Sequence, residues 1–366
     1  MKENLEIEKK SIETEVLDNK CPYCGAKIDF NPNTGTFICD FCKRETTLEE
    51  MKKYQNASNE KNNESVSEEN VDNYEDYFVY KCSNCGAEIV ADAETTATFC
   101  VYCRNTAILK NKLSGKFAPD YIIPFSKTKE DAEKAFISLS KGRPLVPKLF
   151  TEQKNIEKIR GIYIPFWFHN YNVEGDIFAK GRKVRHFGND NTSYNETEIY
   201  EILRGGTALY ENVPSDGSKR FNDDLMNTIQ PYDYDKLVPY NHAYLSGFFA
   251  EGYDIDSDNT NTELEEDILD NAKEKFLNSA NSFGILTIKS NTLKVTNHQT
   301  KYVLLPVYML NVRYEGKIYT FAMNGQTGKF IGNIPINKWR TIIIFVITFT
   351  SSLLILLSIF KIFYEV

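Results

Sequence analysis

All eight cysteines of this chain fall within residues 20–103, as four Cys-x-x-Cys pairs, and no other feature limits the fold so strongly. Cys21 and Cys24 are followed, after a fourteen-residue spacer, by Cys39 and Cys42; Cys82 and Cys85 are followed at the same distance by Cys100 and Cys103. Moving the first set by 61 positions lays it on the second without a gap, and Lys20/Lys81, Gly25/Gly86, Ala26/Ala87, Ile28/Ile89 and Thr34/Thr95 also coincide. This reads as an internal duplication whose unit is a metal site. Two thiolates three residues apart grip one side of a tetrahedral ion from a tight turn, and a second such turn closes the other side. Gly25 and Gly86, just after the second ligand, allow the positive φ that such a knuckle needs. Four thiolates leave no open coordination position, so the expected cofactor is two structural Zn2+ ions rather than a catalytic centre. A thioredoxin-like motif would sit singly beside a βαβ pattern, which the sequence lacks. The two zinc ribbons are expected at residues 20–48 and 81–112, with Ile28, Phe37 and Ile38 marking strands of the first hairpin.

Around these ribbons the composition shifts sharply. Residues 1–19 form an acidic tail with six acids against three bases. Residues 49–80 read as a flexible acidic linker, because 55–76 contain no Leu, Ile or Phe and cannot bury enough apolar surface to offset their ordering entropy. From 116 to 337 the texture is that of an aromatic-rich α+β domain built on an antiparallel sheet. Tyr121–Phe125, Ile162–Phe168 and Tyr302–Tyr308 are β-branched and aromatic runs, each with a proline inside. Proline cannot donate to a ladder, which predicts edge strands or bulges there. Segments 172–187 and 196–211 alternate as strands around a turn at Gly188–Asn191. Helices are expected over 129–141, Asp216–Ile229 and Glu263–Phe276. Glu315-Gly316 and Asn324–Gly328 mark hairpin turns near the end.

Thr341–Phe360 is a run of twenty residues without a charge, long enough to cross a bilayer as a helix. Trp339 and Tyr364 flank it as interfacial aromatics. Lys329, Lys338 and Arg340 precede the run while only Lys361 follows, which predicts a single-pass, tail-anchored protein of the cell membrane with its N-terminal body in the cytoplasm. No apolar run follows Met1, so no signal peptide is expected, and reduced, metal-binding cysteines fit the cytosolic side.

The residues also carry a resemblance. The tandem Cys-x-x-Cys-Gly-Ala units, Ile164–Trp167, Glu211–Lys219, Gln230–Tyr234, Lys301–Val307 and Phe321–Gly328 resemble those of a family of bacterial membrane proteins. These are described as transcription-factor-IIB-type zinc-ribbon proteins and sometimes as primosomal-helicase-like, and the match spans Lys20 to Phe360. The resemblance implies zinc ribbons, a β-rich domain and a membrane segment, and no activity. A Walker phosphate loop is absent, so ATP-driven unwinding has no site here.

Catalytic chemistry finds little support. The histidines His169, His186, His242 and His298 lack ligand spacing to one another, and His169 with Glu174 and Asp176 is the best acid–base candidate among weak ones. Asp254, Asp256, Asp258 and Glu265 fall at positions 1, 3, 5 and 12 of a calcium loop, but Asn259 stands where that loop needs glycine. An acidic turn before a helix is the simpler reading. The formal charge of −8 argues against a phosphate-gripping protein. Each ribbon holds four bases and three acids, or about −1 once a zinc–thiolate centre is counted as −2, and neither shows the basic stripe of a nucleic-acid module. Exposed Tyr23, Phe41 and Tyr102 could stack bases, but aromatics at knuckle tips serve protein docking equally well. The sequence thus predicts a non-enzymatic, membrane-tethered docking scaffold for a cytosolic or membrane protein, with nucleic-acid binding as the alternative.

Overall fold

The computed structural model describes residues 16–17, 19–59, 77–81, 88–92, 95–99, 106–109, 118–140, 143, 145–147, 150, 158–189, 192–221 and 223–364. The second cysteine set (Cys82, Cys85, Cys100 and Cys103) and Tyr102 lie outside the described residues. In chain order the strands are β1 (Val16–Leu17), β2 (Ile28–Asn31), β3 (Thr36–Cys39), β4 (Glu45–Thr46), β5 (Tyr77–Lys81), β6 (Glu88–Asp92), β7 (Thr95–Phe99), β8 (Thr106–Leu109) and β9 (Tyr121–Ile122). They continue as β10 (Arg160–Asn189), β11 (Thr192–Asp216), β12 (Val238–Pro239), β13 (Phe249–Glu251), β14 (Ile285–Asn291), β15 (Lys294–Tyr314), β16 (Lys317–Asn324) and β17 (Phe330–Gly332). The α-helices are α1 (Leu48–Asn59), α2 (Lys129–Ser140), α3 (Asp223–Ile229), α4 (Ser257–Asn278) and α5 (Lys338–Tyr364).

The architecture is α+β and antiparallel-rich, with one twelve-stranded sheet and two small ones. Its spine is the pairing of β10 with β15, in register from Arg160↔Met309 to Glu174↔Lys294. Here the sheet is buried on both faces. Ile164, Phe166 and Phe168 meet Val303, Leu305 and Val307 on one face, under Met226 and Ile229 of α3. Tyr163, Leu304, Tyr308 and Leu310 line the other, under Phe136 of α2 and the segment Ala243–Phe248. Burial on both sides explains why these stretches read as unbroken apolar runs rather than alternating ones.

The prolines correct one expectation. Pro165 and Pro306 sit in central strands, not in edge strands. Pro165 falls between the end of the β13 pairing at Ile162–Tyr163 and the start of the β11 pairing at Phe166. Pro306 likewise falls between β9, which pairs at Val303–Leu304, and β16, which begins at Val307. Each proline occupies a gap between successive partners, where no ladder amide is required.

Further out, β10 and β11 run on as a hairpin to Asn189↔Thr192, longer at both ends than the alternation predicts. Helix α4 covers one face of the inner part, packing Ile268 and Ala272 on Tyr171 and Val173. It starts at Ser257, earlier than expected, whereas α3 starts only at Asp223. The Asp216 and Ser218 side chains accept the Ser218 and Arg220 amides at 2.9 and 3.3 Å, holding that stretch as a turn instead of a helix.

Two boundaries near the N-terminus also differ from expectation. Val16–Leu17, read as tail, pairs with β8. The linker expected from residue 49 opens with helix α1, and Tyr77–Lys81 at its far end is strand β5. Thr47 and Glu50 form a reciprocal capping box, with the Thr47 amide donating to Glu50 at 2.9 Å, and Met51 in the first turns is fully buried. That Thr-x-x-Glu signal stands in the sequence, and the low apolar content of the residues after it hides the helix.

Helix α5 is the reverse of a core element. Within Lys338–Phe360 an eighteen-residue window reaches a mean hydropathy of 2.7 and none of that window is buried, so it is a candidate membrane span rather than a core helix.

Candidate metal centre

Two knuckles of the same construction face each other at the first cysteine set. In one, the Cys21 amide donates to the Ala26 carbonyl at 2.8 Å and the Gly25 amide to the Cys21 carbonyl at 2.9 Å. In the other, the Cys39 amide donates to Arg44 at 3.1 Å and the Lys43 amide to Cys39 at 2.9 Å. Both need a left-handed residue after the second cysteine. Gly25 supplies it with φ 71°, and Lys43 adopts φ 58° at the cost borne by a side chain in that region. The Ala26 and Arg44 amides also bond the sulfurs of Cys24 and Cys42. That bond from Arg44 is the leading cause lowering the Cys42 thiol to about 7.

All four Sγ atoms lie within 4.8 Å of one another, with Cys21···Cys42 at 3.7 Å and Cys24···Cys39 at 3.5 Å. Four thiolates about 2.3 Å from a tetrahedral ion stand about 3.8 Å apart, close to the two shortest spacings of this cage. Cys21 and Cys39 are buried and Cys24 is exposed, which places the cage at a surface. One cysteine cluster able to hold a metal ion is therefore present among the described residues.

The cage is seated on the large domain. Phe30 and Phe37, on the hairpin that carries Cys39, pack against Tyr244 at 5.3 and 6.1 Å between ring centroids. The Phe30 amide donates to the Ser246 carbonyl at 3.1 Å, and Asn19 donates to His242 O and Ser246 Oγ at 3.1 and 2.7 Å. Gly247 is required at this seam, because a Cβ there would approach Asp29 Oδ1 to 3.2 Å and its φ is 89°. Away from the seam Phe41 is 80% exposed, and the Arg44 guanidinium lies 4.8 Å from the Tyr23 ring.

The duplicated pattern reappears in strand register. The bridge Lys20↔Lys27 corresponds, 61 positions on, to Lys81↔Glu88. Phe37↔Thr46 and Ile38↔Glu45 correspond to Thr98↔Ala107 and Phe99↔Thr106.

The acid–base candidate assembles differently from expectation. His169 is fully buried, and its Nδ1 lies 2.9 Å from His298 Nε2, while its Nε2 meets Ser215 Oγ at 3.0 Å and Thr260 Oγ1 at 3.1 Å. Glu174 and Asp176 are exposed on the other face of β10. Burial first, and then the neighbouring His298, push the His169 pKa down to about 4. The partners His298, Ser215 and Thr260 come from β15, β11 and α4, and no local signal in the sequence joins them. The calcium-loop reading fails on geometry: Asp254 Oδ1 accepts the Lys219 amide at 2.8 Å, and the positions from Ser257 onward are helical, so they cannot wrap an ion.

The resemblance motifs interlock as structure. Asn324 Nδ2 donates to Ile229 O and Pro231 O at 3.2 and 3.3 Å, Gln326 and Asp233 exchange two bonds at 2.7 and 2.9 Å, and Tyr232 Oη donates to Pro306 O at 3.1 Å. Trp167 Nε1 donates to Ile255 O at 2.7 Å.

No family model matches the chain, and no solved structure matches it. It is 33% identical over 333 residues to the uncharacterized protein YdjG of Bacillus subtilis (strain 168), an alignment covering 89% of this chain and 92% of YdjG. At that identity and over that share of both chains, it belongs to the same family as YdjG.

Proposed function

We propose that this chain is a single-pass, tail-anchored zinc-ribbon protein that acts as a non-enzymatic docking scaffold for another protein at the cytoplasmic face of the cell membrane. The observation that carries this reading is the pair of ends: an aromatic knuckle tip exposed at the cysteine cage, and a bare apolar helix at the C-terminus. Zn2+ is the ion that four thiolates in a tetrahedral cage suit best, and a fully ligated ion is structural. A second Zn2+ on Cys82, Cys85, Cys100 and Cys103 is supported by the 61-residue repeat and by the matching strand register on either side of it. The bases before the apolar helix support a cytoplasmic body. Tyr23 and Phe41 offer rigid aromatic anchors of the kind protein interfaces concentrate. The likeness to transcription-factor-IIB-type ribbons belongs to the same reading.

The deciding experiment is a crosslinking pull-down from membranes, comparing wild type with Cys21→Ser/Cys82→Ser, alongside a nuclease-treated arm. Protein partners lost only in the variant support docking through the ribbons. Partners lost on nuclease treatment would make nucleic acid the bridge and overturn the docking reading.

A further inference from the structure

We propose that the tip of the β15–β16 hairpin is a second membrane contact, docking on the anionic surface of the bilayer that α5 enters. The inference rests on α5 being a membrane span.

The start of α5 is fixed to the body, not hung from a loop. Asn337 caps the helix by accepting the Arg340 amide at 3.0 Å, and its own amide donates to Leu145 O at 2.9 Å. Arg340 Nη1 donates to Val146 O at 2.9 Å. Val146 lies in the core together with Phe150, and Phe150 packs on Tyr314 and Tyr319 of the hairpin, both at 5.8 Å between centroids. Arg340 is also within electrostatic reach of the Tyr314 phenol, opposing the rise in its pKa that desolvation and Glu315 cause. A continuous chain of contacts thus joins the first turn of the apolar helix to the hairpin tip.

The polar layer on each side of a bilayer is roughly 5–7 Å thick, so groups beside the entry point of a span lie in it. The exposed groups here suit that layer. Trp339, Ile336 and Ile318 are 76%, 60% and 61% exposed beside the start of α5. Arg313, Lys317 and Lys338 are exposed around them, with Arg143 on the turn that holds Arg340; Glu315 is the acid at the tip. A local excess of bases on a chain of net charge −8 complements anionic headgroups, and an apolar residue beside them inserts among the acyl ends.

The test uses the full chain reconstituted in vesicles of phosphatidylcholine and phosphatidylglycerol carrying brominated acyl chains. Wild-type Trp339 reports the span, since Trp167 is buried. In Trp339→Phe/Ile318→Trp the introduced indole reports the hairpin tip. Loss of most of its emission in brominated vesicles, weakened when Arg313→Gln/Lys317→Gln is added, supports the proposal. Quenching of Trp339 in wild type with none at position 318 overturns the hairpin contact and leaves the span standing. No quenching at either position overturns both. Hydrogen exchange of wild-type residues 313–318 gives an answer that needs no substitution: slower exchange in anionic vesicles than in detergent supports the contact, and equal rates oppose it.

Discussion

The cysteine cage and the middle of the β10–β15 sheet are both centres of the fold, but different physics holds them. The cage gathers four sulfurs within 4.8 Å at a surface, with Cys24 exposed while Cys21 and Cys39 back onto buried Ile28, Phe30, Phe37 and Met51. The sheet is closed on both faces by buried aliphatic and aromatic residues and holds no ion site among the described residues. One centre is a set of thiols able to hold a metal ion, and would answer to metal and chelators, whereas the other rests on volume and shape. They meet where Phe30 and Phe37 touch Tyr244 and where Asn19 and Phe30 bond the segment His242–Ser246, and one apolar cluster runs through the contact. The difference predicts that each can be broken separately.

The largest effect belongs to the cage. Metal binding in comparable four-ligand modules is worth about 10–16 kcal/mol, far more than any single packing contact. Cys39→Ser, at a fully buried cysteine of the cage, is expected to lower the metal bound per chain and to abolish hydrogen-exchange protection in β2 and β3. Amides of β10 and β15 should keep theirs. Loss of protection throughout the sheet would show that the two centres form one cooperative unit. The converse is Phe166→Ala, on the sheet face remote from the cage, which should cost about 3–5 kcal/mol by leaving a cavity. Its thermal midpoint should fall while the metal content of the folded protein stays unchanged.

Acid sharpens the contrast, and the sign can be worked through. His169 has a folded pKa near 4, below the 6.5 of an unfolded chain. Its contribution to stability is therefore complete above pH 6.5 and is lost as pH falls from there towards 4. Between pH 7 and pH 5 this one group should cost about 2 kcal/mol. His242, lowered to about 4 by burial, acts in the same direction. Because acid also protonates thiolates, the sheet's share is read as the difference in urea midpoint slope between wild type and His169→Asn. An unchanged slope in the variant would remove His169 as the sensor.

The same contrast separates what was legible in the sequence from what was not. The cage is local chemistry: Cys21 to Cys42 is one short stretch, and spacing alone dictates how sulfurs can meet around an ion. The apolar run of α5 is legible for a similar reason, since a stretch of uncharged residues needs no partner to be recognised. The His169 network is different. His169 and His298 are 129 residues apart and are joined only by the register of β10 with β15, which no local pattern announces. The seat of the cage escapes for the same reason, because Phe30 meets a tyrosine more than two hundred positions away. The prolines mislead in an instructive way. Pro165 and Pro306 do avoid ladder amides, but they do so in gaps between successive partners, and such gaps exist only once the whole sheet is assembled.

The smallest expected effect lies at the outer half of the large sheet, where the two-faced burial of the spine gives way to one covered face. Ile202 and Leu203 are neighbours in β11, yet Ile202 is 3% exposed and Leu203 is 64% exposed, because successive side chains of a strand point to opposite faces. Ile199 and Leu209 lie with Leu203 on the bare side, opposite Arg182, Asn172 and Phe178 of β10. An exposed leucine makes few contacts to lose, so Leu203→Ser should change stability by less than about 0.5 kcal/mol. Ile202→Ser, one residue away, removes buried volume and leaves a hydroxyl inside, so it should cost several-fold more. The pair thereby measures the bare face directly by chemical denaturation of the membrane-reconstituted chain. Equal costs at both positions would mean that something covers this face in the assembled protein, and the line between closed spine and open outer sheet would then have to be redrawn.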